Sequence, residues 1–413
     1  MSFKRVVYHE VSGYRLVSRA KSSLIFITLF SLLLFFMFAY TMVSNVPLQS
    51  GASNEKEEPE SVQTRKMNPG VLPISLTIST QRNMIVEVES DDRFHQRKLP
   101  ESYIFRSDGL TEKFHGRVLE FFNKCELQFF MTWISTAVSF GRREILAVES
   151  VFKAHPNGCL MILSRTMDSP QGYAVLKPLI DLGFNVRAVT PDFRFLLDNT
   201  PAEAWFDNIR SGKKDPGVIP LAQNLSNLMR LAVLYKYGGI YLDTDFIVVN
   251  SFKGLKNTIG AQSIDSTTKN WTRLNNAVLV FDKKHPLLFE FIEEFALTFD
   301  GNKWGHNGPY MVSRVVHRVE GRPGYNFTIV PPVAFYPVDW IKIVKLFKMP
   351  KNRAESRSVE AKLHQLNGKS YGVHLWNKQS SKLVVEEGSV MGRIISEHCV
   401  LCKQVYTSRS ASM

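Results

Sequence analysis

The clearest repeat of apolar positions is helical: within residues 226–237, Leu228, Leu231, Ala232, Leu234 and Tyr235 recur at the three- and four-residue spacing of one helix face. Ser226 is placed to cap the start of this helix, and Gly238 to act as its left-handed stop. Beyond the stop, residues 240–242 and 246–249 are short continuous apolar runs, which predict buried strand pieces. Upstream, the pattern alternates: strand-like 129–134, helical 144–153, strand-like 159–163, helical 173–182, strand-like 185–189. A β-α-β-α-β series of this kind predicts parallel strands with helices packed on the sheet faces. Strand 276–281 and a helix over 286–299 complete the expected core, whose first strand falls within 127–134.

The N-terminal pattern is different. Residues 24–43 carry no charge for twenty positions, a length that as a helix, at about 1.5 Å per residue, covers roughly the 30 Å of a bilayer core. Lys4, Arg5, Arg15, Arg19 and Lys21 precede this run and the first charge after it is Glu55, so the positive-inside rule keeps the short N-terminus cytoplasmic. The run is too long for the apolar core of a cleaved signal peptide. Residues 44–69, rich in Ser, Asn, Glu and Pro, bury too little apolar surface to offset the entropy of ordering. The expected division is a cytoplasmic tail (1–23), a transmembrane signal anchor (24–43), a stem and lead-in (44–117) and a lumenal domain (118–413).

Composition adds three points. The net charge of +13 is not accompanied by a basic and aromatic RNA-binding motif, so nucleic acid is excluded as a partner and the basic run 342–351 is read as a solvated face. Cys125, Cys159, Cys399 and Cys402 suit one or two structural disulfides, with three complete pairings open. The sequons at Asn224, Asn270 and Asn326 fit passage through the secretory pathway, although a glycan on Asn224 would crowd the acidic pair that follows.

That pair, Asp243-Thr244-Asp245, is the candidate chemistry. Two carboxylates one residue apart at a strand end can hold a hard divalent cation against a diphosphate. A lone D-x-D is common as a polar turn, but the extended pattern from Leu228 through Arg230, Tyr235, Gly238-Gly239 and Tyr241 to Asp245 is far rarer. Further motifs follow in order. They are Phe129-Phe130-Met131-Thr132-Trp133, Glu149-Ser150-Val151-Phe152, Asn276-Ala277-Val278-Leu279, Trp304-Gly305-His306-Asn307-Gly308-Pro309, Ala334-Phe335-Tyr336-Pro337 and His374-Leu375-Trp376-Asn377. Over about residues 120–402 this set resembles the α1,4-galactosyltransferases and α1,4-N-acetylglucosaminyltransferases of glycosyltransferase family 32.

The resemblance implies a GT-A-like nucleotide-diphospho-sugar transferase fold, a single Rossmann-like mixed sheet with helices on both faces. It implies Mn²⁺ held by Asp243, Asp245 and His374, with Thr132, Arg230, Tyr241, Asp243, Asn276, Trp304, His306, Asn307, Trp376 and Asn377 around the donor. The activity it implies is retaining α1,4 transfer of galactose or N-acetylgalactosamine from a UDP-sugar to a glycosphingolipid such as lactosylceramide, in the Golgi membrane. No carboxylate stands out as a covalent nucleophile. One position departs from the family: Asn227 stands where relatives have an acidic residue, expected to orient Arg230 or bind a sugar hydroxyl. Transfer of N-acetylglucosamine to O-glycans and a membrane-tethered sugar-binding protein without turnover are the alternatives. A D-x-D-x-T/V phosphatase is disfavoured by Ile247, which stands where Thr or Val is required.

Overall fold

The computed structural model describes residues 101–402. The expected tail, membrane span and residues 44–100 of the stem and lead-in lie outside them, and among the described residues no helix is long and apolar enough to cross a membrane. The strands are β1 (Gln128–Thr132), β2 (Cys159–Leu163), β3 (Asn185–Val189), β4 (Gly239–Leu242), β5 (Phe246–Val248), β6 (Thr258–Ile264), β7 (Trp271–Phe281), β8 (Thr328–Val330) and β9 (Gly372–His374). Seven form one sheet in the order β3-β2-β1-β4-β7-β6-β8, and β5 and β9 form a separate pair.

The alternating series folds as its pattern predicts. β1, β2 and β3 run parallel, joined by helices Arg142–Ala154 and Pro170–Asp181. The five residues of β2 are all buried, as a strand covered on both faces requires. Phe129 and Met131 enter one core with Ala147 and Val151, whereas Phe130 enters the other with Leu228 and Leu231. Successive side chains of a strand point to opposite faces, so helices cover both sides of the sheet. The sheet is mixed, as the resemblance implies: β4 is parallel to β1, but β7 is antiparallel to both β4 and β6.

The topology places the site. The chain winds outward from β1 to β3 and then returns to the opposite side of β1 as β4, so the order of connection reverses between β1 and β4. Ligands of open α/β sheets bind outside the carboxyl ends of strands at such a reversal. Thr132 ends β1 there, and Asp243 follows β4.

The helix leading into β4 starts earlier than its period suggested. It spans Leu221–Tyr237 behind Pro220, so Ser226 lies inside it and is not its cap. Its stop is sterically demanding: Gly238 and Gly239 have φ of 72° and 109°. A Cβ would come within 2.7 Å of the Lys283 amide nitrogen at Gly238 and within 2.7 Å of the Gln128 carbonyl oxygen at Gly239.

Ile104, Phe114 and Val118 are buried in the same core as Phe130, so the last part of the lead-in packs with the domain. All four cysteines are paired, Cys125 with Cys159 and Cys399 with Cys402. The first bridge spans 34 positions and ties the start of β2 to the segment before β1; by the chain-entropy argument a loop of that size contributes about 4 kcal/mol.

Candidate functional site

The β4–β7 ladder continues one step past Leu242, where the Asp243 N–H donates to the Ala277 carbonyl at 2.9 Å. The chain then turns, closed by the Phe246 N–H donating to the Asp243 carbonyl at 3.1 Å. β5 leaves this turn and pairs antiparallel with β9, setting Phe246 opposite His374. The Leu375 N–H donates to the Asp245 carbonyl at 2.8 Å. That pairing carries the His374 imidazole to the acidic pair: Nε2 lies 3.2 Å from Asp245 Oδ1 and 4.0 Å from Asp243 Oδ2.

One ligand atom each from Asp243, Asp245 and His374 falls within 4.8 Å of the others. Two carboxylates and an imidazole at that separation fit a hard or borderline divalent cation. The electrostatics agree with the geometry. Burial opposes charge on both His374 and Asp245, but the facing carboxylates raise the His374 pKa to about 9, and the imidazolium in turn holds the Asp245 carboxyl below its ordinary range. A cation bound here would take the place of the His374 proton.

The other donors to these carboxylates are fixed. The Asn377 N–H donates to Asp245 Oδ2 at 2.9 Å, and the Tyr241 hydroxyl donates to Asp243 Oδ1 at 2.8 Å. Arg230 Nη2 lies 3.0 Å from Asp243 Oδ1, while its Nη1 donates to the Asn276 carbonyl at 2.9 Å and its Nε to the Ser226 carbonyl at 3.2 Å. Its guanidinium also lies over the Tyr241 ring, 4.6 Å from the centroid.

A cleft of about 550 Å³ opens above this floor, with Asn224, Asn227, Asn276 and Asn307 among its walls and the indoles of Trp304, Trp340 and Trp376 around it. Such walls suit a polyhydroxylated ligand, with amides for hydroxyls and indole faces for sugar rings. Of the residues singled out in the sequence, Arg230, Asp243, Asp245, Asn276, Trp304, Asn307, His374, Trp376 and Asn377 meet at this cleft. Thr132 and Tyr241 stand behind it. Their hydroxyls are 2.8 Å apart, and the fully buried Tyr241 reaches Asp243 from below. His306 faces a neighbouring hollow, where its Nε2 lies 2.8 Å from the Thr298 carbonyl.

Asn227 does not orient Arg230. Its Oδ1 accepts from Asn276 Nδ2 at 3.0 Å, an amide pair on the cleft wall. Asn224, Arg273 and Trp340 are among the further wall residues that have no place in the site read from sequence. Arg273 stacks over Tyr310, 4.5 Å from the ring centroid. Asn224 is 3% exposed, accepts from Asn307 Nδ2 at 3.0 Å, and has an Nδ2 without a partner. Its sequon obscured it, yet Gln223, Asn224 and Asn227 form a polar stripe on an otherwise buried helix. That stripe becomes legible once the helix is started at Leu221. The folded wall leaves no room for a glycan on Asn224, whereas Asn270 and Asn326 are exposed.

This chain is similar in sequence to known proteins. Residues 141–265 match the glycosyltransferase sugar-binding region containing a DXD motif, and residues 280–406 match the alpha 1,4-glycosyltransferase conserved region. The lactosylceramide 4-alpha-galactosyltransferase of Rattus norvegicus is 33% identical over 267 residues, 61% of this chain and 68% of that one. The alpha-1,4-N-acetylglucosaminyltransferase of Homo sapiens is 25% identical over 271 residues, 61% of this chain and 73% of that one. An uncharacterized protein of Arabidopsis thaliana is 31% identical over 291 residues, which are 68% of this chain but 43% of that longer protein.

Proposed function

The chain belongs to the α1,4-glycosyltransferases with a DXD sugar-binding region, and from that premise we propose that it transfers galactose, or N-acetylgalactosamine, from a UDP-sugar to a glycosphingolipid such as lactosylceramide, with retention at the anomeric carbon. The observation that carries this reading is the convergence of Asp243, Asp245 and His374 on the floor of an amide- and indole-walled cleft.

These three residues would hold the divalent cation, Mn²⁺ in this reading, which when bound supplies charge neutralisation for the departing diphosphate. Arg230 keeps the Asp243 carboxylate in place through its contact at 3.0 Å and presents a positive charge beside the diphosphate position. Asn276 faces the sugar hydroxyls, Asn307 braces the wall by bonding Asn224 and Asp300, and the half-exposed Trp304, with Lys378 3.8 Å from its ring centroid, borders the sugar position. Trp376 and Asn377 follow the metal-site histidine directly, so the segment that delivers His374 also borders the donor. Among the described residues the cleft wall has no carboxylate besides Asp243 and Asp245. This supports front-face attack, in which the acceptor hydroxyl gives its proton to the leaving phosphate. Four paired cysteines and the exposed sequons at Asn270 and Asn326 support a lumenal setting, with the chain held in the Golgi membrane by residues 24–43.

The test is UDP release by the full chain in detergent with Mn²⁺ and a panel of UDP-sugars, with and without lactosylceramide. Release from UDP-galactose that rises with the acceptor is expected. Asp245→Ala should lower it by more than about 100-fold, beyond the cost usual for a residue that merely supports a metal ligand. Release from UDP-N-acetylglucosamine instead would move the donor to the second sugar. UDP binding without release from any donor would leave a sugar-binding protein.

A further inference from the structure

One segment of the cleft rim gathers several of the large apolar side chains exposed among the described residues. In residues 338–351, the short helical turn Ile343–Phe347 buries Ile343, Leu346 and Phe347 in the core, so its backbone is firmly seated. What the segment turns outward is apolar: Trp340, Ile341, Val344 and Met349 are 45%, 68%, 37% and 53% exposed. Four of the fifteen large apolar side chains exposed among the described residues thus fall within ten positions. Scattered single exposures need no explanation, but a cluster does.

Between these side chains stand Lys342, Lys345, Lys348 and Lys351, all exposed. Two are neutralised locally, Lys342 by Asp339 at 3.0 Å and Lys348 by Glu386 at 2.7 Å. Lys345 and Lys351 have no ion pair among the described residues, although Lys351 acts with Lys348 on Glu386, so four lysines face fewer carboxylates and the surface keeps a positive charge. The sequence suggests a solvated basic face for this run. The structure shows basic and apolar groups sharing it, with Trp340 also lining the cleft.

The chemistry selects among occupants. A second copy of this chain meeting it across a two-fold axis would set lysines against lysines. The headgroup region of a bilayer meets both kinds of side chain at once: indole and aliphatic groups settle at the boundary with the acyl chains, and lysines reach the phosphates. We propose that residues 338–351 are a membrane-docking element that rests on an anionic bilayer surface and brings the mouth of the cleft against it. The inference stands on these exposed residues and does not depend on the donor or acceptor proposed above. If that reading holds, docking gives a lipid-borne acceptor a short path to the cleft.

All six tryptophans, Trp133, Trp205, Trp271, Trp304, Trp340 and Trp376, lie outside the apolar run 24–43, so tryptophan quenching by bilayer lipids reports on the folded domain alone. The full chain would be reconstituted in phosphatidylcholine vesicles brominated on the acyl chains, with and without phosphatidylserine. Quenching is expected in wild type, stronger with phosphatidylserine, and largely absent in Trp340→Phe. Lys345→Gln should lower the ratio of docked to undocked protein about fivefold in the phosphatidylserine vesicles, from roughly 1 kcal/mol per lysine near such a surface. Ile341→Ser, away from the cleft wall, should reduce quenching in both lipids. Thermal unfolding of each variant verifies that it is folded. Equal quenching of wild type and Trp340→Phe, or none in wild type, overturns the proposal. UDP release by Ile341→Ser and Lys345→Gln from donor alone should equal wild type; absence of release from every protein even with detergent-dispersed lactosylceramide present would sink the transferase reading and leave the docking result standing.

Discussion

Asn224 illustrates how a residue's meaning depends on which face of its helix it occupies. A sequon suggests a surface asparagine, but here the side chain is buried in the cleft wall with one amide hydrogen-bond group satisfied and the other free. A buried donor without a partner costs stability unless a ligand supplies the acceptor. Asn224→Ala is therefore expected to raise KM for the UDP-sugar by about 3- to 10-fold, the equivalent of one hydrogen bond, with little change in the unfolding temperature. Unchanged KM would show that the free amide faces no ligand. Asn307 should keep its place in this variant, because its Nδ2 also donates to the Asp300 carbonyl at 2.8 Å. The acidic pair was legible in the sequence because adjacent carboxylates after a glycine stop are a local pattern. Asn224 was not, because the expected helix began at Ser226, after it.

At the scale of elements, legibility followed apolar and β-prone content more than length, so that the three-residue β5 falls within an expected strand and the seven-residue β6 does not. The continuous apolar run 159–163 and the strand-like stretch 185–189 coincide with β2 and β3. The three-residue strands β8 and β9 are too short to carry a period, and β6, Thr-Ile-Gly-Ala-Gln-Ser-Ile, has its apolar residues broken by small and polar ones. Yet β9 delivers His374, and its pairing with β5 depends on Gly372. A Cβ at Gly372 would fall within 2.3 Å of Phe246 Cε1 and 2.4 Å of the Ile247 carbonyl oxygen. Gly372→Ala should push the two strands apart, destabilising the fold by about 1–3 kcal/mol as other overpacked sites do. Mn²⁺ affinity measured by calorimetry should fall with it. Retention of full metal affinity would show that the metal site does not need the β5–β9 pairing.

At the scale of the whole molecule, acid stability has an identifiable contributor. His155 is buried against Phe129 and Phe252, and its Nε2 accepts from the Phe252 N–H at 3.1 Å. Burial pushes its pKa down from 6.5 to about 4, with Glu126 opposing weakly. Between those values the unfolded chain binds a proton that the folded chain does not, so stability falls as pH drops from 6.5 toward 4. Denaturant unfolding at pH 7 and pH 5 should differ by roughly 2 kcal/mol from this group, and His155→Gln, which keeps an acceptor for the Phe252 amide, should flatten that part of the profile. An equally steep profile in the variant would assign the acid sensitivity to other groups.

The sequence by itself determined the helix that leads into β4, the alternating strands and helices of the parallel half, the acidic pair and the family. These are properties of neighbouring residues: a helical period, continuous apolar runs, a glycine stop and motifs whose order is written along the chain. The tertiary structure alone decided which distant groups complete the site. Asn377 donates to Asp245 from 132 positions away, and His374 arrives beside it, because β5 and β9 pair in one register. It also turned Asn224 and Trp340 into the cleft and set lysines and apolar side chains on one surface. Register and facing direction come from packing between segments far apart in sequence, and no local pattern carries that information.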